Sequence, residues 1–153
     1  MTKILMVCLG NICRSPLAEG ILKSKVDSSE VVVDSAGTAG YHIGNPPDLR
    51  SIQVARKHGI DLAGQRCRKF HYEDFKNFDV IYVMDRSNFD NVISLTRSDL
   101  EKRKVKLLLN EIDLGISEVP DPYYGGPDGF EYVFGLIDKA CDQIAKDLEH
   151  GRN

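Results

Sequence analysis

The sequence predicts an α/β fold with one parallel sheet of four strands and helices on both of its faces. Four short apolar runs, rich in β-branched residues, predict buried strands at residues 3–7, 30–34, 78–84 and 105–109. Stretches with helical periodicity separate them, and strands that alternate with helices pair in parallel through right-handed crossovers. We therefore expect a Rossmann-like arrangement, in which ligands bind at the carboxyl ends of the strands.

The helices carry recognisable signals at their ends. Ser15 and Pro16 suit the N-cap and the first position of a helix that ends near residue 25. Asp48 suits the cap of the next helix, which stops at Gly59. A further helix follows the third strand, and the last helix follows the fourth strand after a loop rich in proline.

The last helix has the clearest periodicity, because its apolar residues fall on one face over residues 130–148. Asp128 with Glu131 resembles a capping box at its start, and Gly151 marks its end. Cys141 lies on the apolar stripe, so we expect it to pack in the core.

The composition predicts one globular domain over residues 1–153, with 42% hydrophobic and 28% charged residues. The net charge of -3 argues against a general nucleic-acid binder. No signal peptide and no apolar run of membrane-spanning length is expected. The four cysteines form no C-x-x-C pair and no zinc-type spacing with the histidines, which favours a reducing, cytoplasmic setting and no metal.

The loop between the first strand and the first helix predicts an anion site with a thiol at its floor. Cys8 ends the strand, and Gly10 and Asn11 are residue types that tolerate a left-handed backbone. In such a nest the backbone N–H groups point into one concavity, and the helix dipole adds positive potential. A phosphate or a related oxyanion fits this kind of site.

Cys8 and Arg14 together indicate phosphoryl transfer to sulfur. A thiol at a helix N-terminus and beside an arginine ionises more readily than a free thiol, and the Ser15 hydroxyl can bond the thiolate. The planar guanidinium of Arg14 matches two oxygens of a phosphate above that nucleophile. A buried structural cysteine and a surface arginine would give the same spacing, but the strand, the Gly-Asn pair and the Ser-Pro pair favour the site.

Other segments reach the same edge of the predicted sheet. Ser35 and Thr38 lie in a turn of small residues that either braces the Cys8 loop or only connects two elements. Tyr41 either stacks on an aromatic substrate or stays a surface tyrosine. Asp85 stands at the carboxyl end of the third strand, where it either serves a ligand site or only caps its own helix.

Asp121 is the candidate acid catalyst. Pro120 and Pro122 hold it in a restricted backbone, and Tyr123 and Tyr124 follow directly. A rigid carboxylic acid beside aromatic rings suits the protonation of a phenolate leaving group. A solvated aspartate in a proline-rich turn is the alternative, and this stretch alone leaves both open.

Four segments taken together closely resemble the low-molecular-weight protein-tyrosine phosphatase family. They are residues 8–16, 34–38, 84–88 and 121–123. The resemblance implies a fold of the phosphotyrosine phosphatase I type and hydrolysis of phosphotyrosine and small aryl phosphates without metal or cofactor. The implied partners are proteins or peptides that contain phosphotyrosine, and phosphate or other oxyanions as product or inhibitor. We expect a monomer.

The resemblance also implies the role of each site residue. Cys8 is the nucleophile, Arg14 binds phosphate, and Asp121 is the general acid and base. The remaining residues of the implied phosphate-binding loop are Leu9, Gly10, Asn11, Ile12, Cys13 and Ser15.

Residues around this loop also match family positions. Ser35 and Asp85 support the loop, and Tyr41 and Tyr123 line the substrate cleft. Cys13 matches a cysteine that forms a reversible disulfide with the nucleophile. Tyr123 and Tyr124 match tyrosines that are phosphorylated in some members.

Related classes provide the alternatives. Thioredoxin-coupled arsenate reductases use two further cysteines on a nearby segment, whereas only Cys67 lies in the middle of this chain. Protein-arginine phosphatases typically have threonine where this chain has Ile12. Phosphocysteine carriers generally lack the counterparts of Arg14 and Asp121. A phosphate-binding module without catalysis would not need the full set of nucleophile, clamp and acid.

Overall fold

The sheet has four parallel strands in the order β2-β1-β3-β4, which confirms the predicted fold class. The computed structural model describes residues 1–124 and 128–151. The strands are β1 (Thr2–Cys8), β2 (Val31–Gly37), β3 (Val80–Val83) and β4 (Val105–Leu107). Cys8 and Gly37 are paired at the carboxyl edge of the sheet, so the first loop and the loop after β2 start side by side.

Helices cover both faces of this sheet. One core layer joins α1, α2 and α6 to one face, and a second layer joins α3 and α4 to the other. The helices are α1 (Arg14–Lys23), α2 (Leu49–Lys57), α3 (Asp74–Asn77), α4 (Arg86–Ile93), α5 (Asp99–Lys104) and α6 (Gly129–Glu149).

Burial on both faces of the sheet explains why residues 4–7 of the central strand β1 are all apolar. Successive side chains point to opposite faces, so Ile4 and Met6 enter one core layer while Leu5 and Val7 enter the other. All four side chains are fully buried. A strand covered on both faces holds its end in a fixed place, and that end is Cys8.

The strand boundaries differ from the predicted ones. Residues 35–37, predicted as a turn, continue β2 because their backbones pair with Met6, Val7 and Cys8 of β1. The fourth strand is shorter than predicted, because its last two residues begin a buried 3₁₀ helix (Leu108–Glu111). The helices α3 and α5, of four and six residues, were not predicted because they are too short to show periodicity.

Two predicted caps are wrong. The helix α1 begins at Arg14, so Ser15 lies inside its first turn and its hydroxyl contacts Cys8 instead of capping the helix. Asp128 makes no side-chain cap bond, and Glu131 bonds to His58 Nε2 at 2.7 Å. The predicted capping box is therefore not formed, and Glu131 bonds to His58 instead.

The cap predicted at Asp48 is confirmed, and Asp85, for which a cap was one of two alternatives, also caps its helix. The Asp48 carboxylate accepts the Arg50 N–H at the start of α2, and the Asp85 carboxylate accepts the Asn88 N–H at the start of α4. Both aspartates are thereby fixed close to the edge of the sheet that carries the Cys8 loop.

The last helix α6 packs its apolar face across α1 and α2. Cys141 is fully buried on that face, as the periodicity predicts. Within residues 1–124 and 128–151, no helix combines the length and the apolar character that crossing a membrane requires.

We expect Ile137→Ala to lower the free energy of unfolding by about 2–5 kcal/mol, because Ile137 is fully buried in the core layer that α6 shares with α1 and α2, and the truncation leaves a cavity. Urea denaturation measures this loss. Lys139→Ala, at an exposed position of the same helix, should change stability by less than about 0.5 kcal/mol. Equal losses in both variants would contradict the described packing of α6.

Candidate active site

The Cys8 thiol lies at the floor of the loop between β1 and α1. It is only 3% exposed, and its Sγ lies 3.0 Å from Ser15 Oγ. Ser15 is fully buried in the first turn of α1, so its hydroxyl stays in place. A hydroxyl in this position donates to a thiolate and stabilises its charge.

Asn11 fixes the shape of the loop. Its backbone is left-handed, with φ of 57°. Its side-chain amide donates to Ser15 Oγ at 2.8 Å and to Ser35 Oγ at 3.0 Å, and its Oδ1 accepts the Arg68 N–H at 3.0 Å. These hydrogen bonds stabilise a conformation that is unfavourable for most side chains.

Glu19 extends this hydrogen-bond network beyond Ser35, and the sequence analysis did not predict this role. The Ser35 hydroxyl donates to Glu19 Oε1 at 2.6 Å, and Lys23 Nζ bonds the other carboxylate oxygen at 2.6 Å. Glu19 is only 4% exposed. Glu19 follows Ser15 by four residues, so both lie on one side of α1. This spacing is the sequence feature that could have predicted that Glu19 lies near the site.

Gly37 is a second residue that the sequence analysis missed. A Cβ atom at this position would lie 2.8 Å from the Leu9 carbonyl oxygen and 3.1 Å from the Asn11 nitrogen. The backbone N–H of Thr38 donates to the Cys8 carbonyl at 2.9 Å. The end of β2 therefore supports the loop through backbone contacts, and the space between them admits only glycine without adjustment.

Two hydrogen bonds from the same nitrogen hold one edge of the Arg14 guanidinium in place. Its Nη1 donates to Asp85 Oδ2 at 2.7 Å and to the Val119 carbonyl at 2.9 Å. The described residues provide no hydrogen-bond partner for its Nε or Nη2, so these donors are available to an oxyanion. Asp85 thus both caps α4 and orients Arg14.

A cleft of about 150 Å³ opens above the thiol. Asp121 reaches its wall, and the carboxylate of Asp121 accepts the Tyr123 N–H at 3.0 Å. The loop packs closely against the start of α6, where a Cβ on Gly129 would overlap the Pro122 carbonyl oxygen. The cleft brings together Cys8, Leu9, Gly10, Ile12, Cys13, Arg14, Tyr41, His42, Asp121, Pro122 and Tyr123.

The two tyrosines of the cleft differ in how firmly they are held. Tyr41 stands at the rim with 79% of its surface exposed. The Tyr123 hydroxyl donates to Asp48 Oδ2 at 2.7 Å, and the Arg50 guanidinium lies 4.5 Å from the centre of the Tyr123 ring. The side chain of Tyr124 lies outside the described part of the structure, as do residues 125–127.

Cys13 lines the same cleft as Cys8 but in a different environment. Its Sγ–H donates to the Tyr123 hydroxyl at 3.4 Å. Burial raises the pKa of the Cys13 thiol to about 12, and the neighbouring Asp48 and Cys8 add to the effect. Burial, with the hydrogen bonds to Cys13 and Asp48, also raises the pKa of Tyr123. Both groups remain protonated at neutral pH.

One cleft thus brings together the Cys8 thiol at the end of β1, the Arg14 guanidinium and the Asp121 carboxyl group on a second loop. The family model described as "Low molecular weight phosphotyrosine protein phosphatase" matches residues 3–153. The chain belongs to this family. The resemblance seen in the sequence is confirmed, and the protein is a cysteine-dependent, metal-independent protein-tyrosine phosphatase.

Individual relatives agree with this assignment. A low molecular weight phosphotyrosine protein phosphatase of Schizosaccharomyces pombe is 44% identical over 139 residues, which cover 85% of this chain and 88% of the relative. A protein tyrosine phosphatase from Entamoeba histolytica, solved with Hepes in the active site, has a TM-score of 0.92 and 36% identity over all of both chains. Wzb of Vibrio vulnificus, solved with benzylphosphonate, has a TM-score of 0.84 and 30% identity, covering 95% and 98% of the chains.

We expect Gly37→Ala to weaken the binding of inorganic phosphate roughly 10- to 100-fold, because the added methyl group displaces the backbone at Leu9 and Asn11. Equilibrium dialysis with labelled phosphate measures the dissociation constant. Gly64→Ala is the matched control, since a Cβ there would meet no heavy atom within 4 Å. Unchanged phosphate affinity in Gly37→Ala would refute the proposed fit between β2 and the loop.

Iodoacetamide at neutral pH should modify Cys8 well before Cys13. The pKa of about 12 leaves Cys13 as an unreactive thiol, whereas the Cys8 thiolate is the expected nucleophile. Peptide mapping by mass spectrometry reads out the order, and saturating phosphate should slow the modification of Cys8. If Cys13 reacted first, the assignment of the reactive thiol would be wrong.

Proposed function

We propose that this phosphatase hydrolyses phosphotyrosine monoesters through a phosphocysteine on Cys8. The observation that carries the proposal is the environment of the Cys8 thiol. The thiol is buried beneath a loop whose backbone is held by Asn11, and the Ser15 hydroxyl oxygen lies 3.0 Å from the Cys8 sulfur. A phosphate in the nest would stand above the sulfur, with Arg14 at its side.

The first step transfers the phosphoryl group to sulfur. The Cys8 thiolate attacks phosphorus in line, the S–P bond forms, and the bond from phosphorus to the tyrosine oxygen breaks. Asp121 gives its proton to the departing phenolate oxygen and becomes a carboxylate. The loop N–H groups and the free donors of Arg14 stabilise the phosphoryl oxygens through the transition state.

The second step returns the enzyme to its starting state. The Asp121 carboxylate takes a proton from water, and the water oxygen attacks phosphorus. The S–P bond breaks, inorganic phosphate forms, and the electron pair stays on Cys8. The Ser15 hydroxyl stabilises the returning thiolate as it leaves.

The cleft walls favour an aryl phosphate. Tyr41 is exposed at the rim and can contact a substrate ring, and the side chain of Tyr123 is held by its hydrogen bond to Asp48. The relative Wzb was solved in complex with benzylphosphonate, an aromatic oxyanion, and this supports an aryl phosphate as the substrate of this chain. Ile12 also lines the cleft and gives an apolar surface where a protein-arginine phosphatase typically has threonine.

Regulation and cellular setting form part of the same proposal. Peroxide would convert the Cys8 thiolate to a sulfenic acid, and Cys13 would displace water from it to form a reversible disulfide. Phosphorylation of Tyr123 would require its hydrogen bond to Asp48 to open.

We also propose a monomer in the cytoplasm, where a reducing environment keeps the cysteines in their free form.

We expect rapid phosphate release from a phosphotyrosine peptide in the presence of a chelator and a reductant. Cys8→Ser should abolish it, because a serine hydroxyl is not ionised at neutral pH. A phosphoarginine protein assayed in parallel should be a poor substrate. Normal turnover by Cys8→Ser would refute the mechanism, and a preference for phosphoarginine would refute the substrate class.

Asp121→Asn should slow aryl phosphates about 10²- to 10⁴-fold, and most strongly those whose phenols are poor leaving groups. An asparagine cannot supply the proton, so the rate then depends steeply on the acidity of the phenol. A series of substituted phenyl phosphates measures this dependence. A slope unchanged from that of the parent enzyme would remove Asp121 from the role of acid.

A further inference from the structure

Cys67 contacts the Cys8 loop from outside the catalytic cleft and takes no part in the two chemical steps. Its side chain is only 4% exposed, and its thiol donates a hydrogen bond to the Asn11 carbonyl oxygen at 2.7 Å. Ile12, the residue after Asn11, lines the cleft, whereas Cys67 does not. The thiol thus meets the loop at its left-handed residue, away from the space that a substrate would enter.

The planar peptide group turns this contact into a direction for the next N–H. In a trans peptide, the C=O of one residue and the N–H of the following residue point to opposite sides. Within the described ranges no peptide bond is cis. Because the Asn11 carbonyl points to Cys67, the N–H of Ile12 points away from Cys67.

Other peptide groups of the loop are held in the same way. Three more of its carbonyls accept backbone N–H groups from outside the loop, so the N–H groups that follow these carbonyls also point away from their partners. The pairs, donor first, are Thr38 with Cys8 at 2.9 Å, Ala39 with Leu9 at 2.9 Å, and Asp48 with Ile12 at 2.7 Å. Among these four contacts the Cys67 thiol is the one side-chain donor, so a substitution can remove it.

The backbone of Cys67 is itself fixed by hydrogen bonds. Its N–H donates to the Asn45 carbonyl at 2.8 Å, and its carbonyl accepts the Gly44 N–H at 2.8 Å. The next residue, Arg68, donates its N–H to Asn11 Oδ1 at 3.0 Å. Two consecutive residues therefore hold the backbone carbonyl and the side-chain carbonyl of Asn11.

The Cys67 thiol keeps its proton at neutral pH. Burial raises the pKa of Cys67, and the nearby Cys8 raises it further. A thiol is a weak donor, but a buried carbonyl that loses its partner is costly. Without the thiol, the peptide group between Asn11 and Ile12 would lose the bond that sets its orientation.

We propose that Cys67 is a positioning residue, whose thiol holds the peptide group between Asn11 and Ile12 so that the Ile12 N–H faces the bound phosphate. This role rests on the proposed function of the cleft, because a phosphate above Cys8 is the anion that this N–H bonds. Cys67 acts through the loop and does not itself touch the substrate.

Cys67→Ala and Cys67→Ser test the hydrogen bond. Alanine removes the donor, and we expect the dissociation constant of inorganic phosphate to rise about 5- to 20-fold, because an N–H bond to the anion is weakened. The kcat/KM for a phosphotyrosine peptide should fall at least as much, since the same N–H stabilises the transition state. Serine supplies a hydroxyl donor in place of the thiol, so Cys67→Ser should recover most of both losses.

Cys141→Ala is the matched control, because it removes the same atoms from another buried cysteine. The Cys141 thiol lies 3.9 Å from the Ala18 carbonyl oxygen, in the core layer and not at the loop. This variant should lose stability in urea denaturation and keep the phosphate affinity of the parent enzyme.

The amide signal of Ile12 provides a readout that a merely structural role of Cys67 would not change. In isotopically labelled parent enzyme, saturating phosphate should move the Ile12 amide proton downfield in the nuclear magnetic resonance spectrum, as for any donor to an anion. The shift should shrink in Cys67→Ala and return in Cys67→Ser. The measurement on the parent enzyme does not depend on the folding of any variant.

The outcomes separate this proposal from the function of the cleft. Unchanged phosphate affinity in Cys67→Ala, or an equal loss in Cys141→Ala, would overturn the role of Cys67. Equal losses in Cys67→Ala and Cys67→Ser would also overturn it, since the volume of the side chain and not its hydrogen bond would then matter. Phosphate binding that leaves the Ile12 amide signal in place would do the same, whereas failure of the parent enzyme to hydrolyse phosphotyrosine would instead refute the proposed function.

Discussion

The left-handed backbone of Asn11 is the constraint on which the site depends. Three hydrogen bonds of its side chain, to Ser15, to Ser35 and from the Arg68 N–H, stabilise this conformation. They join the helix after the loop, the second strand and a distant segment to one residue. A loop whose backbone is already fixed in this way needs little rearrangement when an anion arrives, which is how preorganised sites lower a barrier.

The strands that position the Cys8 loop could be predicted well from the sequence. Four apolar runs predicted the strands, and the parallel order put Cys8, Asp85 and the Asp121 loop at one edge, because parallel strands share their carboxyl ends. Ser35 shows the limit of this reasoning. Its residue type permitted either a brace or a simple turn, and only the pairing with β1 turns its hydroxyl toward Asn11 and Glu19.

The parts that could not be predicted depend on tertiary distances. The Val119 carbonyl that holds Arg14 carries no side-chain signal, and the need for glycine at position 37 appears only when Leu9 packs against it. The cap expected at Ser15 was wrong because α1 already begins at Arg14, so Ser15 lies inside the first turn and its hydroxyl contacts Cys8. Local patterns thus identify the chemical groups, whereas their contacts come from packing.

Trapping the covalent intermediate would test the proposed mechanism most directly. The enzyme is mixed with a phosphotyrosine peptide, quenched in acid within one turnover, and mapped by mass spectrometry. The two-step mechanism requires one phosphoryl group on the peptide that contains Cys8 and none on those that contain Cys67 or Cys141. A phosphoryl group on another residue, or phosphate release without any labelled protein, would contradict it.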